Sequence, residues 1–353
     1  MLRSPFGILP DGRQVEVFTL SNDSGIQVRI LNYGGIIQSI DLPDRSGIMD
    51  DIVLGFDDLN GYVNDGAYMG AVVGRFANRI GGGSFELDGQ THFLSTNDGQ
   101  NCLHGGNVGF NRALWAAEIL TLADQEILQL KHVSLDGDQG FPGELHTTVT
   151  YALSNENRLK VSFKAWTDKP TVVGFTLHPY FNLGGRGGGN ILDHELRLNA
   201  DHYLPVNGAT IPTGAILPVA NSPMDFRESH PIAQNICYED PKFSKTEGYD
   251  HNWVINDWDG SCVDVAHLRD PASGRVLKVS SSMPGLQLYT GNHLSADGIG
   301  KDRRRFQKYG AVCLEPQFFP DTPNQPDFPS AVLRPGEVHE HAICFEFHVD
   351  QGA

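Results

Sequence analysis

The chain has 353 residues, with 40 Gly, 20 Pro and 40% hydrophobic residues, which is enough apolar content for a core and excludes bulk disorder. Its net charge of −17 leaves no basic footprint for nucleic acid or an anionic lipid surface; the densest basic cluster is only Arg303-Arg304-Arg305. An acidic surface suits a soluble protein acting on neutral small molecules.

The N-terminus, Met1 to Gly7, runs straight into polar residues without the apolar core of a signal peptide. No stretch reaches the ~20 apolar residues that span a bilayer, so a soluble cytoplasmic protein is expected. Ser84 to Leu94 reads as a hairpin turning at Asp88-Gly89. Leu114 to Leu122 is apolar but uncapped, and is not assigned to a helix. Ile127 to Val133, Val149 to Leu153, Arg158 to Trp166 and Ile343 to Val349 follow a period of two. In the third of these, Leu159, Val161, Phe163 and Ala165 alternate with Lys160, Ser162 and Lys164, the pattern of a strand with one buried face. The run Gly184 to Gly189 is expected to be a flexible surface loop. Asp201 to Val219, with Pro205, Gly208, Pro212 and Gly214, reads as extended loop with brief strands. The excess of Gly and Pro, sparse helical signals and lack of a long linker predict one all-β domain over residues 1–353. Its simplest form is two antiparallel sheets packed face to face. Five cysteines, Cys102, Cys237, Cys262, Cys313 and Cys344, lack CxxC spacing. An odd count of that kind predicts reduced, mostly buried thiols in a reducing compartment.

Several segments carry residues able to do chemistry. In Gly74 to Ile80, Arg75 and Arg79 would share one face if the stretch were a strand, and Asn78 and Arg79 are natural donors to sugar hydroxyls. A surface salt bridge is the alternative there. Asn101 to Gly106 places His104 before two glycines that let backbone approach a ligand closely. His178 sits among apolar and aromatic residues in Thr176 to Leu183. There it is either a satisfied core histidine or a group that passes protons near neutrality. Tyr180 and Phe181 beside it offer faces suited to a sugar ring. Asp250, in Gly248 to Asn252, could bind a diol, and Gln287 adds a possible contact; a turn or solvated loop is the alternative for both. Glu315 lies in the apolar run Ala311 to Phe319. A carboxylate there is costly unless paired or used, and desolvation would make it a stronger base. His339-Glu340-His341 could point two imidazoles to one side of a strand, but without a third ligand a solvated edge is expected. The dinucleotide, P-loop, zinc-protease and nucleophile-elbow templates are all missing.

Taken in order, GRFANRI at 74–80, NCLHGG at 101–106, LHPYFNL at 177–183, GYDHNWV at 248–254 and LEPQFFPD at 314–321 resemble the aldose 1-epimerase (galactose mutarotase) family. The likeness runs from Asn32-Tyr33-Gly34-Gly35 to the Glu315 segment and takes in Ile191 to Val219. It implies a large antiparallel β-sandwich of the supersandwich type, with an open carbohydrate cleft and neither metal nor organic cofactor. It implies an isomerase that interconverts the α and β anomers of a free hexose such as galactose or glucose. By motif, Glu315 is the general base, His178 the general acid, and His104 assists. Asn78, Arg79, Asp250 and Gln287 would hold hydroxyls, with Tyr180 nearby in the cleft and Arg75 as a further candidate. The implied partner is a small monosaccharide, with no nucleic acid and no membrane, and the chain a monomer or homodimer. The Gly184 to Gly189 loop is expected at the cleft rim.

Three other functions compete with this one. A glycoside hydrolase would use two carboxylates, for which Asp250 and Glu315 are the candidates. A non-catalytic sugar-binding module would leave the His178 and Glu315 pair without a role. A hexose-phosphate epimerase would need a basic pocket.

Overall fold

The computed structural model describes residues 1–122, 125–236, 243 and 245–351. Cys237 lies outside the described residues; the other four cysteines are free, with Cys102 and Cys313 buried, Cys344 half-buried and Cys262 exposed.

The period-two segments pair as expected. A nine-stranded antiparallel sheet runs, in spatial order, Ala116–Leu122, Gln125–Ser134, Leu145–Leu153, Arg158–Thr167, His339–Val349, Arg275–Ser281, Val263–Arg269, Glu195–Leu198 and His230–Pro231. Alternation decides which face is buried: Val149, Tyr151, Val161, Phe163, Ile343 and Phe345 all point inward. The uncapped apolar stretch near Leu114 is the edge strand Ala116–Leu122. The hairpin forms from Ser84–Leu87 and Gln90–Phe93, with Asp88 at φ 52 and Gly89 at φ 77, as a tight turn with two left-handed residues requires.

The layer facing the large sheet is divided. One five-stranded sheet comprises Leu2–Ile8, Gln14–Ser21, Gln27–Leu31, Ile37–Pro43 and Met49–Asp51. A second comprises Leu217–Pro218, His202–Leu204, Asp250–Val254, Gly285–Tyr289 and Cys313–Gln317. Phe18, Val28 and Ile40 of the first, and Trp253, Leu286 and Leu314 of the second, join Val149, Phe163 and Phe345 in one core. The Asp201 to Val219 stretch contributes two of these brief strands, as read from its prolines and glycines. Among the described residues the only α-helix is Leu59–Val63, capped by Asp58, which accepts from the Gly61 amide at 2.9 Å. No helix of the described residues is long and apolar enough to cross a membrane.

Two expectations change. His339 and His341 do share a face, but they pair with Ala165 and Phe163 of the neighbouring strand and His341 is buried, so they are not on a solvated edge. His339 Nε2 lies 3.0 Å from His341 Nδ1, and the His341 ring stacks on Phe163 at 4.4 Å. The Gly184 to Gly189 loop is held at its end and its middle: Asn182 Nδ2 donates to the Gly189 and Gly310 carbonyls, and Arg186 pairs with Asp50 and Asp302.

Candidate active site

The second five-stranded sheet is polar on one face and apolar on the other because its strands alternate. Trp253, Leu286, Leu288 and Leu314 enter the core. On the opposite face Asp250 pairs in register with Tyr289, and Asn252, Gln287 and Glu315 form one cross-strand row. That polar face is the floor beneath a cleft.

Two short ribbons supply the walls. In the first, Val72–Val73 pairs with Thr176–Leu177, which delivers His178; its amide donates to the Ala71 carbonyl at 3.0 Å and its carbonyl accepts from Gly70 at 2.9 Å. In the second, Arg79–Ile80 pairs with Cys102–Leu103, setting Asn78 and Arg79 beside His104. Asn78 and His104 bind each other twice: the His104 amide donates to the Asn78 carbonyl at 2.9 Å, and the Asn78 amide donates to His104 Nδ1 at 3.1 Å. Both residues hold positive φ, 63 and 52. A glycine must follow His104, since a Cβ on Gly105 (φ 87) would stand 2.0 Å from the Gly74 carbonyl oxygen.

The cleft so formed has a volume of about 620 Å³, and Asn78, Arg79, His104, His178, Tyr180, Asp250 and Glu315 all line it. Gln287 does not line it; it lies buried in the floor and donates to Asp250 Oδ1 at 2.7 Å. Arg79 Nε donates to Asp98 at 2.7 Å, and its Nη1 lies 3.8 Å from Asp250 Oδ2. Tyr180 commits its hydroxyl to the Ala67 carbonyl and lays its ring along His178, centroids 5.0 Å apart. His178 Nε2 stands 3.6 Å from Glu315 Oε1. The other polar atoms of this pair, His178 Nδ1 and Glu315 Oε2, are buried with no protein partner.

Burial dominates the electrostatics. It pushes the Glu315 carboxyl well above its ordinary value, with Asp250 adding to the effect and Arg79 opposing it. It lowers His178 to about 4, against a smaller upward pull from Asp250. His104 is driven well below its ordinary value by burial first and then by His178 and Arg79. For Arg79, burial acts to weaken the charge, but Asp250 and Asp98 outweigh it and hold the guanidinium ionised. Burial thus disfavours the charged form of both members of the pair.

His104, His178 and Glu315 present ligand atoms within 4.8 Å of one another, a set that could suggest zinc. The Asn78 amide at His104 Nδ1 argues otherwise. It places the imidazole proton on Nε2, so His104 offers the cleft a hydrogen-bond donor and not a lone pair.

Arg75 is not part of the cleft. The stretch is not one continuous strand, since the chain leaves the extended conformation at Asn78, and Arg75 turns the other way. Its buried guanidinium donates to Ser134 Oγ and to the carbonyls of Ser134, Leu135, Pro142 and Gly143. The Gly184 to Gly189 loop also stands away from the cleft, along a neighbouring cavity. Tyr68 is a residue of the cleft that no motif announced. It holds φ 58, its ring lies 4.6 Å from that of His104 and 6.3 Å from that of His178, and its hydroxyl accepts from Asn97. Arg112 braces the segment before it by donating to the Val63 and Asp65 carbonyls.

The chain as a whole has known relatives. The family model described as aldose 1-epimerase matches residues 16–346. The chain belongs to the aldose 1-epimerase family. It is 42% identical to the galactose mutarotase of Mus musculus over 348 residues, covering 98% of each chain. It is 35% identical to the aldose 1-epimerase of Escherichia coli over 350 residues, covering 98% of this chain and 99% of the other. Among solved structures, the galactose 1-epimerase of Lactobacillus acidophilus superposes with a TM-score of 0.86 at 28% identity, covering 99% of this chain and 98% of that one. The family match extends beyond the Asn32 to Glu315 interval in which the motifs lie.

Proposed function

We propose that this chain, acting as one domain over residues 1–353 in the cytoplasm, interconverts the α and β anomers of free hexoses such as galactose and glucose. The observation that carries the proposal is the 3.6 Å approach of His178 and Glu315 at the base of a cleft rich in hydroxyl-binding groups.

Ring opening requires one proton to leave the C1 hydroxyl and one to reach the ring oxygen. Glu315, as carboxylate, takes the first; His178, carrying the proton of the pair, gives the second as the C1–ring oxygen bond breaks. The O–H electron pair becomes the aldehyde double bond, so no electrons are lost and no co-reactant is needed. Rotation about C1–C2 presents the other face of the aldehyde, and the same two transfers run in reverse. Each is worth about 10²–10⁴-fold when the partners are within hydrogen-bond reach. Burial opposes the charged pair, while Arg79 favours the carboxylate and Asp250 favours the imidazolium. His104 Nε2–H is a donor available to a sugar oxygen. Asp250, oriented by Gln287 and Arg79, accepts from hydroxyls; this positioning supplies the rest of the acceleration.

The competing enzymes fit less well. A glycosidase needs a second free carboxylate, but Asp250 already accepts from Gln287 and faces Arg79. A phosphate in this cleft would find its arginine engaged by Asp98 and Asp250.

The test is polarimetry on freshly dissolved α-D-glucose and α-D-galactose, with the spontaneous rate subtracted. The unaltered protein should accelerate mutarotation, and Glu315→Gln and His178→Asn should each lose nearly all of it while keeping the β-rich circular dichroism spectrum. Full activity in both variants would overturn the assignment of the pair.

A further inference from the structure

A second cavity, of about 460 Å³, opens beside the cleft and shares Phe306 with it as a wall. In a chain of net charge −17, four cations line it: Arg186, Lys301, Arg304 and Arg305. Two are committed. Arg186 pairs with Asp50 and Asp302, and the buried Lys301 amine with Asp51 at 2.6 Å. The other two are not. Arg304 Nη1 donates to the Arg186 carbonyl and Arg305 Nη1 to the Ala296 carbonyl, and neither forms an ion pair among the described residues. Both arginines are exposed and Arg304 feels the charge of Asp302, but neither makes a direct carboxylate contact among the described residues, so both guanidinium groups can take an anion from outside.

The glycine loop keeps the space open. A Cβ on Gly187 would stand 3.6 Å from Arg304 Nη1, and one on Gly189 (φ 69) 4.0 Å from Gln307 Nε2. Side chains there would project across the gap between the loop and the 304–307 segment. Gln307 lines the cavity and suits hydroxyl groups. Two guanidinium groups match a phosphate dianion, and the volume exceeds what inorganic phosphate needs.

We propose that this cavity binds a small sugar phosphate, with the phosphate between Arg304 and Arg305 and the ring against Gln307 and the Gly185 to Gly189 backbone. Binding there is separate from mutarotation, so the proposal stands or falls independently of the cleft.

Calorimetric titration of the full chain with α-D-glucose 1-phosphate, inorganic phosphate and uncharged glucose tests it. The sugar phosphate should bind saturably and more tightly than inorganic phosphate, with affinity falling as salt rises. The paired change Arg304→Ser and Arg305→Ser should weaken it about tenfold or more, since each arginine supplies a charge-assisted bond. Gly187→Leu, which retains both arginines and fills the gap, should weaken it as well. His178→Asn should leave it unchanged, which separates this cavity from the cleft. No saturable binding at millimolar concentration, equal affinity for inorganic phosphate, or loss of binding in His178→Asn but not in the arginine variant would overturn the proposal.

Discussion

His178 Nε2 and Glu315 Oε1 lie 3.6 Å apart, near enough to serve two oxygens of one sugar and too far for a direct hydrogen bond. Each is therefore free to exchange its proton with a bound ligand. In the proposed mechanism the pair works only while it holds one proton. Below the value to which burial lowers His178, about 4, both groups are protonated and Glu315 cannot accept. Above the raised value of Glu315, neither is protonated and His178 cannot donate. The pH profile of kcat/KM should therefore have a broad plateau, with its acid limb near 4 and not at the ordinary histidine value of 6.5. Both limbs belong to the coupled pair. An acid limb at 6.5 would contradict this electrostatic account.

Asp250 acts on both members of the pair by its charge, raising each. Asp250→Asn should move the alkaline limb to lower pH, because Glu315 loses a neighbour that disfavours its carboxylate. KM should rise and kcat fall together if Asp250, held by Gln287, orients hydroxyls as proposed. Comparing the pH–rate profiles of Asp250→Asn and the parent checks the direction; an upward shift would count against it.

Tyr68 holds the ring of His104 from one side on a left-handed backbone that costs a non-glycine residue about 1 kcal/mol or more. Tyr68→Phe retains the ring and loses only the bond from Asn97, so kcat/KM should fall no more than a few-fold. Tyr68→Gly relieves the backbone but removes the ring. It should lower kcat by about 10²-fold, the scale of a 1 Å misplacement, with KM changing less. Equal kinetics in the two variants would exclude a positioning role.

Arg75, by contrast, should matter for stability and little for chemistry. Arg75→Met strands the buried carbonyls of Ser134 and Gly143 and removes a donor from those of Leu135 and Pro142. At about 1–3 kcal/mol for each unsatisfied group, part of it recovered by water, the loss should reach at least about 3 kcal/mol. Urea unfolding should show the drop, while polarimetry on the folded fraction should show kcat/KM within a few-fold of the parent. A large catalytic loss without a stability change would return Arg75 to the cleft.

Much of the site was legible because its residues sit in short, unusual local sequences. His178 between a strand and Pro179, His104 before paired glycines and Glu315 inside an apolar strand each stood out, and all three converge. Gln287 also stood out, but its place in the floor follows from the register with Asn252 and Glu315, which a single strand does not reveal. Arg75 was misplaced by extending strand periodicity through Asn78, where the chain turns. Tyr68 was missed because nothing in Asn64 to Met69 differs from an ordinary loop until His104 is brought against it.

The sequence by itself determined the all-β class, the period-two strands and the Asp88-Gly89 turn. These depend on side-chain alternation and turn chemistry, which act between neighbours along the chain. Only the tertiary structure decided that the layer opposite the large sheet is split, that Arg75 clamps backbone, and that His339 and His341 stack inside. It alone set the burial that lowers His178 and raises Glu315. Desolvation and charge–charge distance arise between residues far apart in sequence, and they exist only once the sheets have closed over the cleft.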